Sequence, residues 1–327
     1  MVRKRASWCT RVALGVVPLA MFAIGSLAPP SQARVYRGFS PSSYWNTPLP
    51  RSATVAKDSK KMIRWLIKNN SSNYIQLGGT TSTGAWGMPI YWGGRGDPRY
   101  NIHNNCSFSA PPEFDSVRIP LGAEPDSTSD SELTVYNKRR GRVFGLWKAQ
   151  YDTEADSWSA CGGTVYYLRS NGLHGSLRAS DERRNRGHRG FPPPTFAVRY
   201  DEIKAREIRH VLKIAVDETK CSHVFPAVGD ECGTRAEYAP PEGTRIRIKP
   251  SVDLQDLRLS RAAVVIAKAL QRYGAVIGDQ SGGAVAMKVE NTIAEGRGYK
   301  WDGVLRRDSL RAIPLRYFQV ISPRYRP

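Results

Sequence analysis

Arg199, Glu202 and His210 fall in one short stretch, RYDEIKAREIRHVLKIAV, that changes its period halfway. Up to about Arg206 it reads as one or two turns of helix. From Ile208 it alternates, and His210, Leu212, Ile214 and Val216 share one face of a strand. A histidine heading an apolar strand face, with a carboxylate just upstream, is a candidate acid–base pair. It is equally a buried histidine satisfied by a carboxylate or a carbonyl. In the first case the helix-to-strand turn folds back, placing His210 within reach of Glu202 or Asp130.

Two polysaccharide chemistries suit these residue types. Hydrolysis needs two carboxyl groups across a cleft, one of them protonated at rest. Asp130, Glu202 and Asp279 are the candidates. Elimination needs a base such as His or Tyr, and a cation that neutralises a uronate. His210 and Arg199 suit those roles. The candidate catalytic residues are therefore Glu202, His210 and Asp130. The candidate substrate contacts are Arg199, Trp158 and Asp279. Each has a plainer reading. Asp130 in PDSTSDSE and Asp279 in GDQSGG stand where turns favour Asp. Glu202 also reads as support for a helical turn. Trp147 and Trp158 can both stack on sugar rings. Alternation groups Trp147 with Val143 and Tyr151 as core, and Trp158 reads as nearer the surface.

Other chemistries find little footing. There is no CxxC spacing for zinc, no phosphate-binding glycine loop and no GxSxG elbow. No metal or other cofactor is expected. GHRG within the basic run Asp181–Pro194 superficially resembles nuclease histidines but lacks a companion Asn-His pair. That run can grip phosphate or carboxylate groups. It also reads simply as a solvated loop.

The elements that must hold these residues are mostly short strands broken by Gly, Pro and Asn. ELTVYNKRRGRVFGLWKAQYD reads as a hairpin turning at Lys138–Gly141, and Thr164–Leu168 adds a strand. TRIRIKP alternates Ile246 and Ile248 with Arg245, Arg247 and Lys249, which predicts a strongly basic strand face. AVIGDQSGGAVAMKVEN reads as two strands around a turn at Asp279–Gly283. Two helices stand out: Ser59–Asn70 with Asp58 as N-cap, and Ser260–Gly274 with Ser260 as cap and Gly274 as stop. Many strands and few helices predict a mainly β fold, a jelly-roll-like β-sandwich with two or more peripheral helices.

The chain has 327 residues and a net charge of +20. It opens on Arg3, Lys4, Arg5 and Arg11, then an uncharged, mostly apolar run over Val12–Ala28, then Ser31-Gln32-Ala33. This predicts an export signal over 1–33, cleaved after Ala33, and a single domain over 34–327. An uncleaved anchor is the alternative, but the run is near the short limit for spanning and contains Gly15, Pro18 and Gly25. Cleavage takes four basic and no acidic residues from +20, leaving +16 and no stable membrane insertion. Such a field favours anionic partners. Four cysteines remain, an even number in an exported chain. Cys221 and Cys232 flank what reads as a loop between strands and are paired, which leaves Cys106 with Cys161. The compartment is then oxidising and extracytoplasmic.

The order of segments resembles a family of exported bacterial proteins. The resemblance rests on YWNTPLP (Tyr44–Pro50), Ser129-Asp130 in SDSELTVYN, Leu146-Trp147-Lys148-Ala149, and the spacing of Arg199, Glu202 and His210. PEGTRIRI (Pro241–Ile248) and YGAVIGDQSGGA (Tyr273–Ala284) complete it, so it spans most of the chain after residue 33. It implies a likeness to secreted proteins that act on polysaccharides. Two departures lie beside the candidate site: Phe196-Ala197-Val198 before Arg199, where the pattern has Gly-Gly or Gly-Leu before Ile-Arg, and the basic insertion LRASDERRNRGHRGFPPP. The expectation is a secreted protein that cleaves or binds an extracellular, acidic polysaccharide. The alternatives are a non-catalytic cell-wall or glycan binder, and a basic nucleic-acid-binding or nuclease-like protein. The last predicts one continuous cationic face through Arg183–Arg189 and Arg245–Lys249.

Overall fold

Strand alternation and two amphipathic helices organise the chain in a computed structural model that describes residues 1–2, 35–293 and 298–324. The expected export signal, apart from its first two residues, lies outside the described residues. The described residues from 35 onward form one unit, mainly β, and among them are three α-helices: α1 Ser59–Asn69, α2 Tyr200–Lys204 and α3 Arg261–Arg272.

Among the described residues the larger sheet has seven strands. Across it run Gln76–Gly78, Ala286–Val289, Leu212–Val216, Ala275–Gln280, Arg245–Ile248 and Phe318–Val320, with Ala197–Val198 also pairing to Ala286–Val289. Leu212, Ile214, Val216, Ile246, Ile248 and Ile277 face Ile63 and Leu66 of α1 and Ala263, Ile266 and Leu270 of α3. Burying each large aliphatic side chain there contributes about 1.5–3 kcal/mol. Ser260 caps α3 by accepting from the Ala263 N–H at 3.2 Å. Gly274, at φ +74°, lets the chain leave the helix, because a Cβ there would meet the Ile246 carbonyl oxygen at 2.4 Å. Asp58 makes no side-chain cap; it pairs with Lys61 at 3.4 Å instead.

The second sheet runs Gly163–Tyr167, Arg142–Leu146, Leu133–Asn137, Ile90–Trp92. Tyr136, Val143 and Tyr166 pack with Val211, just ahead of strand 212–216, and with Val276 of the larger sheet around Trp45 and Phe191. Leu133, Val135, Phe144 and Leu146 face the other way, onto Tyr100, Ile102, Phe114 and Trp158. The two sheets thus share a core between them, as in a sandwich. Four of the pairings across these sheets, 76–78 and 197–198 with 286–289, 212–216 with 275–280 and 90–92 with 133–137, are parallel. Jelly-roll strands pair antiparallel, so that finer expectation does not describe this ladder.

Several expectations on sidedness reverse. Arg245 and Arg247 alternate with Ile246 and Ile248 as read, yet they are buried. The segment 44–51 covers their face, and they donate to the carbonyls of Tyr273, Pro50 and Arg51. The continuous basic face through Arg245–Lys249 therefore does not form. Trp158 lies inside at 2% exposure, on the apolar side of Ser157–Ala160, while Trp147 is exposed just past the end of its strand. Asp279 is not in a hairpin turn: 275–280 and 286–289 flank 212–216 rather than each other.

Both expected disulfides are present, Cys106–Cys161 and Cys221–Cys232, which is the chemistry of an oxidising compartment. Among the described residues no helix is long and apolar enough to cross a membrane.

Candidate functional site

The turn from α2 into strand Leu212–Val216 does bring Arg199, Glu202 and His210 together. Glu202 Oε2 accepts the Arg199 N–H at 3.0 Å, closing the start of the helix. Its Oε1 lies 2.9 Å from His210 Nε2 and 3.3 Å from the Arg199 guanidinium. His210 Nδ1 lies 2.8 Å from the Val211 carbonyl oxygen. Arg199 also pairs with Asp201 at 3.1 Å and donates to the Tyr36 carbonyl at 2.6 Å. Burial alone pushes the Glu202 carboxyl up, but Arg199 and His210 outweigh it and hold it below the ordinary carboxylate range. Arg199, Glu202 and His210 are 3%, 2% and 4% exposed. Both ring nitrogens of His210 face oxygen acceptors inside the protein, so no ring lone pair is offered to a substrate. This trio braces the fold, tying α2 to the strand and to residue 36.

Asp130 does not join it. Asp130 sits in the turn before Leu133–Asn137, where its carbonyl accepts the Lys148 N–H at 2.8 Å. Its charge acts on half-buried Lys288, which pairs with Glu132; desolvation pushes Lys288 below the ordinary lysine range and Asp126 and Asp130 pull it back up. Trp158 is core, and its ring lies 5.2 Å from that of Tyr151.

Asp279 leads to a different constellation. At the end of strand Ala275–Gln280 the pairing with 212–216 shifts register, and Asp279 Oδ2 lies 2.8 Å from Lys213 Nζ. Asp279 Oδ1 also lies 3.2 Å from the Gln280 N–H. The same N–H is donated to Glu231 Oε2 at 3.0 Å. Two carboxylates from distant segments thus converge on one amide. Arg189 pairs with the other oxygen of Glu231. The Glu231 N–H in turn is donated to Glu242 Oε1 at 2.9 Å. Glu242 is fully buried, and its Oε2 has no hydrogen-bond partner among the described residues. Burial pushes its carboxyl up to about 7; Arg189 opposes this, and Glu231 and Asp279 add to it. The Glu231 carboxyl is also raised, by burial and then by the negative charge of Asp279.

Local structure fixes each arrival. The Cys221–Cys232 bond closes the segment that carries Glu231. Strand Lys220–His223 runs parallel to Pro241–Glu242, with His223 opposite Glu242. Gly243 at φ +90° follows, where a Cβ would lie 1.8 Å from the Val224 carbonyl oxygen, so the turn after Glu242 demands glycine. Side chains of Glu231 and Asp279 keep 23% and 25% of their exposure, against 9% for Lys213. The pair is thus open to solvent above a sealed third carboxyl. The negative charge of Asp279 thus helps bias Glu231 toward its acid form, the kind of asymmetry that lets one carboxyl act as acid and the other as base. Among the described residues no group of three or more His, Cys, Asp or Glu is arranged to hold a metal ion.

Of this constellation, sequence reasoning named only Asp279. Lys213 was visible as a charge inside an apolar strand, and Glu242 as the acid before the glycine of PEG. Arg189 lay in a run read as solvated, and Glu231 carried no local signal beyond its place beside Cys232. Comparisons of the chain with protein families, with curated proteins and with solved structures found no match.

Proposed function

We propose that the protein is a secreted carbohydrate-active enzyme that hydrolyses an anionic extracellular polysaccharide at the Glu231–Asp279 pair. The observation that carries this reading is the sharing of the Gln280 N–H by two solvent-open carboxylates, each with its own cation. In this reading Glu231, the carboxyl raised by burial and by Asp279, donates its proton to the glycosidic oxygen. Asp279 takes a proton from a water whose oxygen bonds to the anomeric carbon as the glycosidic C–O bond breaks, and the protonated leaving sugar departs as an alcohol. Glu242 lies beneath as a proton-holding neighbour. The two disulfides agree with life outside the cytoplasm, and the net charge of +20 agrees with an anionic substrate.

The test is a substrate panel of polyuronates, sulfated glycans, neutral glycans and DNA. Release of reducing ends from an anionic glycan, without the absorbance of an unsaturated uronate, is expected. Binding without any release, absorbance at the unsaturated product, or cleavage of DNA alone each overturns it.

A further inference from the structure

We infer that the cavity of about 360 Å³ beside the Lys138–Arg140 turn binds an oxyanion group, a carboxylate or a sulfate ester, carried by an anionic saccharide. Its wall includes Arg139, Arg140, Tyr167, Arg169, Asp181 and Glu182. The two acids are already engaged. Both oxygens of Asp181 lie 3.0 Å from the Asn171 N–H, and Glu182 pairs with Arg184 at 3.0 Å. The three arginines have no such relief. Arg140 makes one long contact, 3.5 Å to Ser116 Oγ, and no carboxylate among the described residues pairs with Arg139, Arg140 or Arg169.

The surroundings strengthen the positive potential. Arg99, Arg142 and Arg118 crowd Arg140, and Arg99 foremost lowers its affinity for its own proton below the ordinary guanidinium range. Arg142 Nε is buried with no hydrogen-bond partner, and its guanidinium lies 5.1 Å from the centre of the Tyr167 ring. Arg184 stands 4.2 Å from the same ring. Planar guanidinium forks match the two or three oxygens of a carboxylate or sulfate. A duplex backbone needs an extended cationic track, and burial of Arg245 and Arg247 removes the stretch that would continue one. A bounded hollow suits a single charged substituent better.

This site does not depend on the Glu231–Asp279 pair. The test uses the full mature chain and three probes at low salt: a polygalacturonate oligomer, a sulfated glycan oligomer and duplex DNA. Titration calorimetry compares the native protein with Arg139→Ala/Arg140→Ala/Arg169→Ala. A control triple, Arg64→Ala/Arg95→Ala/Arg311→Ala, removes the same charge elsewhere. The cavity triple is expected to weaken one or both saccharides by about tenfold or more, and the control by far less. The two saccharide arms tell carboxylate from sulfate. Equal loss in both triples, no saccharide binding by the native protein, or a loss confined to DNA overturns the inference. Retained thermal stability of the cavity triple separates lost binding from lost folding. Glycan cleavage can fail while this binding stands, and the reverse.

Discussion

Glu231 and Asp279 hold the two ends of one hydrogen-bond fork at the Gln280 N–H, with Arg189 behind the first and Lys213 behind the second. Each carboxyl therefore has its own cation where the chain is partly open to water. Glu231→Gln and Asp279→Asn keep the shape and remove one acid–base group each. Either is expected to lower turnover of the anionic glycan by about 100-fold or more, the usual worth of a positioned acid or base. Single-turnover assays at saturating substrate measure it, and turnover within twofold of the native rate in both variants would rule out the pair as catalytic.

Glu242 makes stability fall as pH rises. Its carboxyl is raised from an ordinary 4.5 to about 7, so the folded state holds a proton that the unfolded chain releases. The advantage is complete below pH 4.5 and is lost as pH climbs through 7. The full swing is about 3 kcal/mol at most. Glu242→Gln retains the acceptor for the Glu231 N–H without titrating. Its melting temperature is expected to exceed the native value at pH 8 and to converge with it at pH 5. A constant difference across that range contradicts the assignment.

Glu202 contributes with the opposite sign. Its carboxyl is held below the ordinary range, so its contribution is present above pH 4.5 and lost as pH falls further. Glu202→Ala removes the buried carboxylate partner of Arg199 and leaves that guanidinium only Asp201 and the Tyr36 carbonyl, an expected loss of about 3 kcal/mol. Denaturant unfolding measures this loss, while turnover per folded molecule stays at the native value. A large drop in turnover with stability intact would return Glu202 and His210 to the reaction.

The two disulfides separate stability from site geometry. In the chain-entropy account, the 55-residue separation of Cys106–Cys161 is worth about 4 kcal/mol and the 11-residue separation of Cys221–Cys232 about 3 kcal/mol. Replacing the first pair by serine is expected to lower the melting temperature more and leave glycan turnover intact. Replacing the second lowers it less yet removes turnover, because Glu231 adjoins Cys232. Equal effects on turnover would uncouple the cystine from the site.

Local signals carried a good part of this architecture. The helix from Ser260 to Gly274, the strands around Lys138–Gly141 and both cysteine pairings were legible from spacing and flanking residues. So was the meeting of Glu202 with His210, since a single tight turn separates them. Sidedness was not. Period two says that Arg245 and Ile246 oppose each other, but only the packing of 44–51 decides that both faces are covered. Trp147 reversed because a strand ending at Leu146 cannot be told from one continuing to Tyr151, and Trp158 because its cover comes from distant strands. The convergence of Arg189, Lys213, Glu231, Glu242 and Asp279 depends on five separated segments, and no window of sequence holds their relation.

Leu212–Val216 lies between Ala275–Gln280 and Ala286–Val289, two strands that are neighbours in the chain. The link 281–285 must step over it, across about 10 Å. Those late strands therefore leave a slot that only an earlier-made segment can fill, with Ser281 donating its N–H to the Val216 carbonyl at 2.7 Å as the latch. No quick local hairpin is available at that spot. Assembly there requires a long-range encounter, and such non-local pairing raises the contact order and slows folding of the domain as a whole.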